Sequence, residues 1–356
     1  MDISKIDKNL KVESSISKDG LVWLDASESP FRIYGAYSCN PYMRLPEDVA
    51  KNTNEGVAGL NFHTAGIRVR FRTDSPFIAI KAVFNSLTRF PHMPLAGTGG
   101  FDLYRWHGGI QRYVKTFTPP VDTKNSFESI VDLPNKMCDF VLNFPLYNSV
   151  NKLYIGVHSD AVFEEPAKYI NDKPIVFYGS SITQGGCASR PGNCYQNMLS
   201  QKLDFDYINL GFSGSGRGED AIAEYMSTLD MSIFVSDYDH NAPTTEHLRN
   251  THYKLYETIR AKHPDIPYIM ISKPDVDLVP YNSSAEGNLK RQCVIMESYL
   301  KAKSNGDENV YFIDGTSIFS YDNADSCTVD GTHPNDLGFF EFQRALFPIL
   351  KKLLHK

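Results

Sequence analysis

Val176-Phe177-Tyr178-Gly179-Ser180-Ser181-Ile182-Thr183-Gln184-Gly185-Gly186 is the stretch from which the rest of this chain can be read. Residues 175–178, introduced by Pro174, form a short apolar run rich in β-formers, the pattern of a buried strand. The run passes directly into Gly179 and two serines, with two more glycines close behind. Small residues at the C-terminal edge of a strand let backbone N–H groups face a ligand, and that edge is where open α/β sheets bind ligands. A serine hydroxyl there becomes a nucleophile if a base reaches it. On this stretch alone the simpler reading, a Gly/Ser turn with no chemistry, is the better one.

The stretch that changes the reading lies near the other end of the chain. Val329-Asp330-Gly331-Thr332-His333-Pro334 sets an acid three residues before a histidine, in a turn ahead of an amphipathic helix. Such a turn can bring the carboxylate onto the imidazole, orienting the ring and stabilising its charged form. Alone it reads as a helix N-terminal turn with a solvated histidine. Paired with Gly-x-Ser after a strand, it reads as nucleophile, base and orienting acid.

Gly179-Ser180-Ser181-Ile182-Thr183 resembles the first block of the SGNH (GDSL-type) hydrolases, and Asp330-Gly331-Thr332-His333 resembles their last. Asn209-Leu210-Gly211-Phe212-Ser213-Gly214 is similar to the glycine block between them, and Asp237-Tyr238-Asp239-His240-Asn241 stands where the asparagine block belongs. Order and spacing fit over residues 174–356. Gly100-Phe101-Asp102-Leu103-Tyr104 resembles the Gly-x-Asp-Leu-Tyr signature of a domain that precedes some of these esterases. The resemblance implies a serine esterase with Ser181 as nucleophile, His333 as base and Asp330 as its orienter. It also implies an oxyanion hole made by the N–H groups of Ser181 and Gly214 and the side-chain amide of Asn241, and no metal or organic cofactor. Two departures stand out. Ser180 replaces the Asp of the family's Gly-Asp-Ser, and Asp239-His240-Asn241-Ala242 lacks the Gly and the final Asp of Gly-x-Asn-Asp. Asn241 ahead of Ala242-Pro243 also reads as a turn former.

The pattern along the chain agrees with two domains, as a length of 356 residues suggests. Residues 1 to about 20 read as frayed, and from Leu21 the pattern is all-β. Ile67-Arg68-Val69-Arg70-Phe71-Arg72 alternates apolar and charged residues as a half-buried strand does, and strands follow at 77–84, 101–106, 112–117, 126–133, 138–144 and 152–158. Short strands at this spacing predict a β-sandwich, jelly-roll-like, over 1–165, with 90–100 as a long loop. After a polar linker at 164–173, strands at 175–178, 207–212, 231–237, 268–273 and 310–314 alternate with helices near 195–203, 219–229, 246–262, 285–303 and 335–354. Repeating strand–helix units predict a parallel sheet covered on both faces, a flavodoxin-like three-layer α/β/α domain over 172–356.

Composition removes several function classes. The net charge is −6, from 36 basic and 42 acidic residues without a long like-charge run, which argues against nucleic acid or an anionic membrane as partner. No apolar stretch is long enough to span a bilayer. Residues 1–21 carry no signal-peptide apolar core, so the chain reads as cytoplasmic as it stands, and as periplasmic or secreted if a leader has been removed. Six cysteines at Cys39, Cys138, Cys187, Cys194, Cys293 and Cys327 show no zinc spacing. Cys187 and Cys194 are close enough in sequence to pair, and free thiols are expected in a cytosolic protein. The glycine-rich 211–218 also resembles a dinucleotide-binding loop, but Glu219 and Asp220 at the helix start would repel a pyrophosphate.

The remaining candidates concern the substrate. Arg190 lies in the loop after the Gly179 strand, where it could hold an anionic part of a substrate. Tyr104 and Trp106 lie one strand period apart and share a face, either for domain packing or as a platform for sugar rings. The loops after Ser181 and Asn241 are small and polar, which favours a short acyl group, acetyl above all, on a polar alcohol such as a carbohydrate hydroxyl. The substrate would then be a small-molecule or oligosaccharide ester. A second reading, prompted by the two departures, is a non-catalytic carbohydrate-binding protein with a decayed hydrolase domain. Oligomeric state does not follow from the sequence.

Overall fold

The computed structural model describes residues 14–107, 110–274, 285–319, 322 and 324–355. The N-terminal half folds as two antiparallel sheets packed face to face. One sheet has the order Leu21–Asp25, Lys152–His158, Phe77–Val83, Ser126–Asp132. The other has the order Phe163–Glu164, Arg68–Thr73, Cys138–Asn143, Phe101–His107, Ile110–Phe117, with Arg32–Tyr34 added to Arg68–Thr73. Strand alternation turns Ile78, Ile80, Ala82, Leu153, Ile155 and Val157 inward from the first sheet, where they meet Val69, Phe71, Phe101, Leu103, Phe140 and Leu142 of the second. Each Val, Leu, Ile or Phe among them contributes about 1.5–3 kcal/mol by leaving water, so this layer is what holds the sandwich together.

Three expectations are corrected here. Residues 1–13 of the segment read as frayed lie outside the described residues, but Ser14 and Ser15 are tied to the Glu128 carboxylate at 2.8 Å each. The region after Leu21 is not all-β: Glu47–Thr53 and Glu55–Leu60 are short helices. Pro46 and the acidic pair Glu47-Asp48 start the first, and the Asn54 side chain accepts from the Val57 N–H to cap the second. Their Ala50 and Val57 pack with Phe212 and Ile222 of the second domain. The strand Arg68–Thr73 is not half-buried either, because Arg68 and Arg70 on its charged face meet the second domain, and only Arg72 stays partly exposed. Arg68 is 1% exposed; it donates to the Tyr169 hydroxyl at 2.7 Å, pairs with Asp206 and lies 3.9 Å from the Tyr207 ring centre. Arg70 is held between the rings of Trp106 at 4.4 Å and Tyr169 at 4.3 Å.

The C-terminal half is a parallel five-stranded sheet in the order Phe205–Gly211, Asn171–Gly179, Ile233–Asp237, Tyr268–Ile271, Val310–Ile313. Successive residues of the Gly179 strand point to opposite faces. Ile175 and Phe177 join a core with Tyr195–Leu203 and Asp336–Leu354, whereas Val176 and Tyr178 join one with Asp220–Ser227, Thr245–Lys262 and Ala285–Ser304. This is the flavodoxin-like three-layer domain that the alternating pattern predicted. Its strand register sets Gly179 beside both Gly211 and Asp237. Three sequence blocks therefore leave the sheet at one level, at its C-terminal edge. Cys187 and Cys194 are both free and buried. Among the described residues no helix is long and apolar enough to cross a membrane.

Candidate active site

Gly179 ends its strand where no side chain fits: a Cβ would stand 2.1 Å from the Asp237 carbonyl oxygen and 2.2 Å from Thr183 Oγ1. The chain then turns. Ser180 N–H donates to the Asp237 carbonyl at 2.9 Å, and Ser180 Oγ accepts from Ile182 N–H at 3.2 Å, capping the one-turn helix Ser181–Gln184. The residue that stands in place of the family aspartate is thus a helix cap. It leaves the next hydroxyl, Ser181 Oγ, at 2.9 Å from His333 Nε2.

His333 is aimed from the other side by a tight turn. Gly331 has φ of +81°, in the left-handed region that favours glycine. The turn folds the Asp330 carboxylate over the chain, so that Oδ1 accepts from Thr332 N–H at 3.0 Å and His333 N–H at 2.8 Å, and Oδ2 meets His333 Nδ1 at 2.7 Å. Burial opposes ionisation of Asp330, but these bonds to His333 and Thr332 outweigh it and hold the carboxyl below its ordinary range. A charged carboxylate can only accept, so Nδ1 carries the proton, and Nε2 presents a lone pair to the Ser181 hydroxyl. Cys187 N–H donates to the Pro334 carbonyl at 2.7 Å, and Ser189 N–H to Asp336 at 2.8 Å, pinning the loop after Ser181 to the histidine turn.

Gly214 and Asn241 lie on the loops that leave the two neighbouring strands. Gly214 has φ of +67°, and a Cβ on it would meet nothing within 4 Å, so the space before it is open. Its carbonyl is turned toward the Arg217 side chain, with bonds of 3.2 and 2.9 Å. Asn241 Nδ2 donates to the Phe212 carbonyl at 2.9 Å. That bond uses one amide hydrogen to fix the side chain against the glycine block, and the amide carries a second.

Beneath Asn241 lies a buried cluster that spacing did not reveal. Asp237 and Asp239 are 1% and 0% exposed, and His240 Nε2 stands 3.7 Å from one carboxylate and 3.4 Å from the other. Their ligand atoms all lie within 4.8 Å of one another, the one such group among the described residues that could hold a metal ion. Asp237 Oδ1, Asp239 Oδ1 and both His240 ring nitrogens have no hydrogen-bond partner. Burial, followed by the neighbouring Asp239 charge, pushes the Asp237 carboxyl up to about 8, and burial pushes Asp239 up to about 6. A protonated Asp237 is the form this site tolerates at neutral pH. Its other oxygen accepts from Thr183 Oγ1 at 3.2 Å.

The candidate substrate residues sit elsewhere. Arg190 pairs with Asp102 at 3.0 Å and with the Tyr104 hydroxyl, and its guanidinium lies 4.5 Å from the Tyr113 ring centre. Asp102 also accepts from Gly192 N–H at 2.7 Å and Asn143 Nδ2 at 2.9 Å. The Gly-x-Asp-Leu-Tyr segment therefore grips the loop that follows Ser181, and Arg190 and Tyr104 belong to the domain contact, as Trp106 does through Arg70. What sequence reasoning missed is how far the sandwich reaches toward Ser181. The Tyr147 hydroxyl donates to the Ser181 carbonyl at 3.2 Å, and the His92 ring centre lies 5.9 Å from that of His333. The signal available was a loop carrying Phe90 and His92 between prolines and small residues.

Residues 172–351 match the family described as GDSL-like Lipase/Acylhydrolase, and residues 21–163 match the N-terminus of Esterase_SGNH_hydro-type. No curated protein matches the chain by sequence. A Bacteroides ovatus protein described as a GDSL-like lipase is similar in structure, with a TM-score of 0.86 and 29% identity over 94% of this chain and 98% of that one. The salicylyl-acyltransferase of a tetracycline biosynthetic pathway follows, with a TM-score of 0.77 and 19% identity over 95% of this chain and 98% of that one. An acetyl xylan esterase from Butyrivibrio proteoclasticus has a TM-score of 0.57 and 13% identity over 94% and 99%. At such identities the last two likenesses speak for the fold alone.

Proposed function

The chain belongs to the GDSL-like lipase/acylhydrolase family and is an ester hydrolase, and on that premise we propose that Ser181, His333 and Asp330 are its catalytic triad and that it cleaves short acyl esters of polar alcohols. The observation that carries the assignment is the unbroken path from Ser181 Oγ to His333 Nε2 at 2.9 Å and from His333 Nδ1 to Asp330 at 2.7 Å.

In this reading Ser181 Oγ attacks the ester carbonyl while His333 Nε2 takes its proton. The Asp330 carboxylate stabilises the imidazolium and keeps Nδ1 protonated. Charge builds on the former carbonyl oxygen, and the Ser181 and Gly214 N–H groups and the second hydrogen of the Asn241 amide are the donors proposed to receive it. His333 then gives the proton to the departing alcohol. Water repeats the cycle on the acyl-enzyme. Ser180 has no part in the chemistry, since its oxygen is committed to the helix cap.

Substrate choice is read from the loops around the triad. Thr183 and Gln184 are buried beneath Ser181, while Ser189 and Asn193, bound to Asp336, and Thr244, which caps the helix after Asn241, are the polar residues with some exposure. These polar surroundings suit an acetyl group on a carbohydrate or similar alcohol better than a fatty-acyl chain. A series of p-nitrophenyl esters tests this. Acetate is expected to turn over roughly tenfold or more faster than octanoate, about 1.4 kcal/mol in the barrier, and acetylated oligosaccharides should release acetate. An optimum at octanoate or longer would refute the short-acyl claim.

A further inference from the structure

The segment between strands Phe77–Val83 and Phe101–His107 of the sandwich runs over the second domain and ends on its reacting groups. Met93 is buried in the second domain's core with Leu146, Tyr147, Ile182 and Cys187. Leu146 N–H donates to the Gly97 carbonyl at 3.1 Å, and Gly97 approaches the Ala188 carbonyl so closely that a Cβ would stand 2.3 Å from it. These anchors hold Phe90 and His92. Phe90 meets Tyr147 edge-on at 5.5 Å and 74°. His92 follows, with its ring centre 6.0 Å from Phe90 and 5.9 Å from His333. A row of rings thus runs from Tyr147, whose hydroxyl bonds the Ser181 carbonyl at 3.2 Å, to the imidazole that serves Ser181. His92 is the exposed ring of this row.

The position of His92 tells which half of a substrate it meets. The proposed oxyanion donors come from the blocks at the sheet edge, on loops after Gly179, Gly211 and Asp237. His333 comes from a separate turn, just before the helix Asp336–Leu354, and the proton it carries goes to the leaving oxygen, so the alcohol departs along its ring. A side chain against His333 therefore borders the alcohol rather than the acyl group. His92 cannot replace either partner of His333, because Asp330 occupies Nδ1 and Ser181 occupies Nε2. What it can offer is a ring N–H or a lone pair to a hydroxyl.

We propose that His92, delivered by Phe90 and Met93 from the sandwich domain, is a specificity-determining residue that hydrogen-bonds a hydroxyl of the departing alcohol and selects polyol esters over simple ones. This rests on the triad reading above. The sandwich is then part of the substrate cleft, through its 84–100 segment rather than through Tyr104 and Trp106.

The test compares the full chain with His92→Ala and His92→Asn on two kinds of ester. Partly acetylated xylo-oligosaccharides and glyceryl monoacetate carry free hydroxyls on the alcohol side, and p-nitrophenyl acetate carries none. His92→Ala should lower kcat/KM about threefold to tenfold on the polyol esters and less than twofold on p-nitrophenyl acetate, with His92→Asn recovering part of the loss. Equal losses on both kinds, no loss on either, or a wild-type enzyme that cleaves p-nitrophenyl acetate but no polyol ester would overturn the inference while leaving the triad standing. A wild-type protein that cleaves none of them, or whose turnover survives Ser181→Ala, would overturn the triad reading and this inference with it.

Discussion

Replacing Asp102 by alanine would loosen the joint between the two domains. The carboxylate is fully buried and accepts from Arg190 at 3.0 Å, Gly192 N–H at 2.7 Å and Asn143 at 2.9 Å. Burial pushes its carboxyl up, against the pull of Arg190 and the two neutral donors, so much of the pairing energy is consumed in keeping it charged. Removing it is different from never having had it. Arg190, 24% exposed at its side chain, would keep its charge without a counter-ion, and Gly192 N–H would lose its acceptor. Stripping one partner from such a pair costs about 3–5 kcal/mol. At about 2–4 °C per kcal/mol for a domain of this size, the melting temperature should fall by about 6 to 20 °C. Thermal denaturation followed by far-ultraviolet circular dichroism reads this directly. Asp102→Asn, which keeps one oxygen for Arg190 and Gly192 but loses the charge and turns the acceptor facing Asn143 into a donor, should fall less. A change within about 2 °C for Asp102→Ala would refute the reasoning, because water would then serve Arg190 and Gly192 as well as the carboxylate does.

Two further outcomes follow from the site. Asn241→Ala should raise the barrier by roughly 2.7–4 kcal/mol with little change in KM, and a loss confined to KM would make Asn241 a positioning residue instead. Asp237, lifted from 3.8 to about 8, holds in the folded state a proton that the unfolded chain releases, so its contribution favours the fold at low pH and is lost as pH rises toward 8. Asp237→Asn cannot ionise and still offers Thr183 an acceptor. Its melting temperature relative to wild type should therefore climb between about pH 5 and pH 8, and a constant difference would contradict the account.

The alternation of strands and helices after Pro174 was legible because short apolar runs recur between periodic helical stretches, and the parallel sheet follows from it. The sandwich was legible from its short alternating strands, but its surroundings were not. Arg68 and Arg70 read as a solvated face because periodicity records polarity, not what covers it; the aromatic rings of Tyr169, Tyr207 and Trp106 that take them in come from distant sequence. The helices at Glu47–Thr53 and Glu55–Leu60 carried ordinary start signals at Pro46 and Asn54, overlooked inside a β-rich stretch. The residues proposed as the triad were named through the family blocks, since spacing alone could not say that two loops so far apart in sequence meet. The cluster of Asp237, Asp239 and His240 had no spacing signal, because its three side chains converge only in the 3-10 turn after the Asp237 strand. The Phe90–His92 segment lies in a long loop without periodicity, and its course depends on Met93 finding a core in the other domain.

The central claim is that Ser181, and not the adjacent Ser180, is the nucleophile. A serine-directed phosphonate followed by intact mass and peptide mapping tests it most directly, with p-nitrophenyl acetate turnover measured on the same samples. The account predicts one adduct, on Ser181, in the wild type and in Ser180→Ala, and none in Ser181→Ala, whose kcat should fall by about 10⁴ or more. An adduct on Ser180, or labelling and turnover that persist in Ser181→Ala, would contradict it.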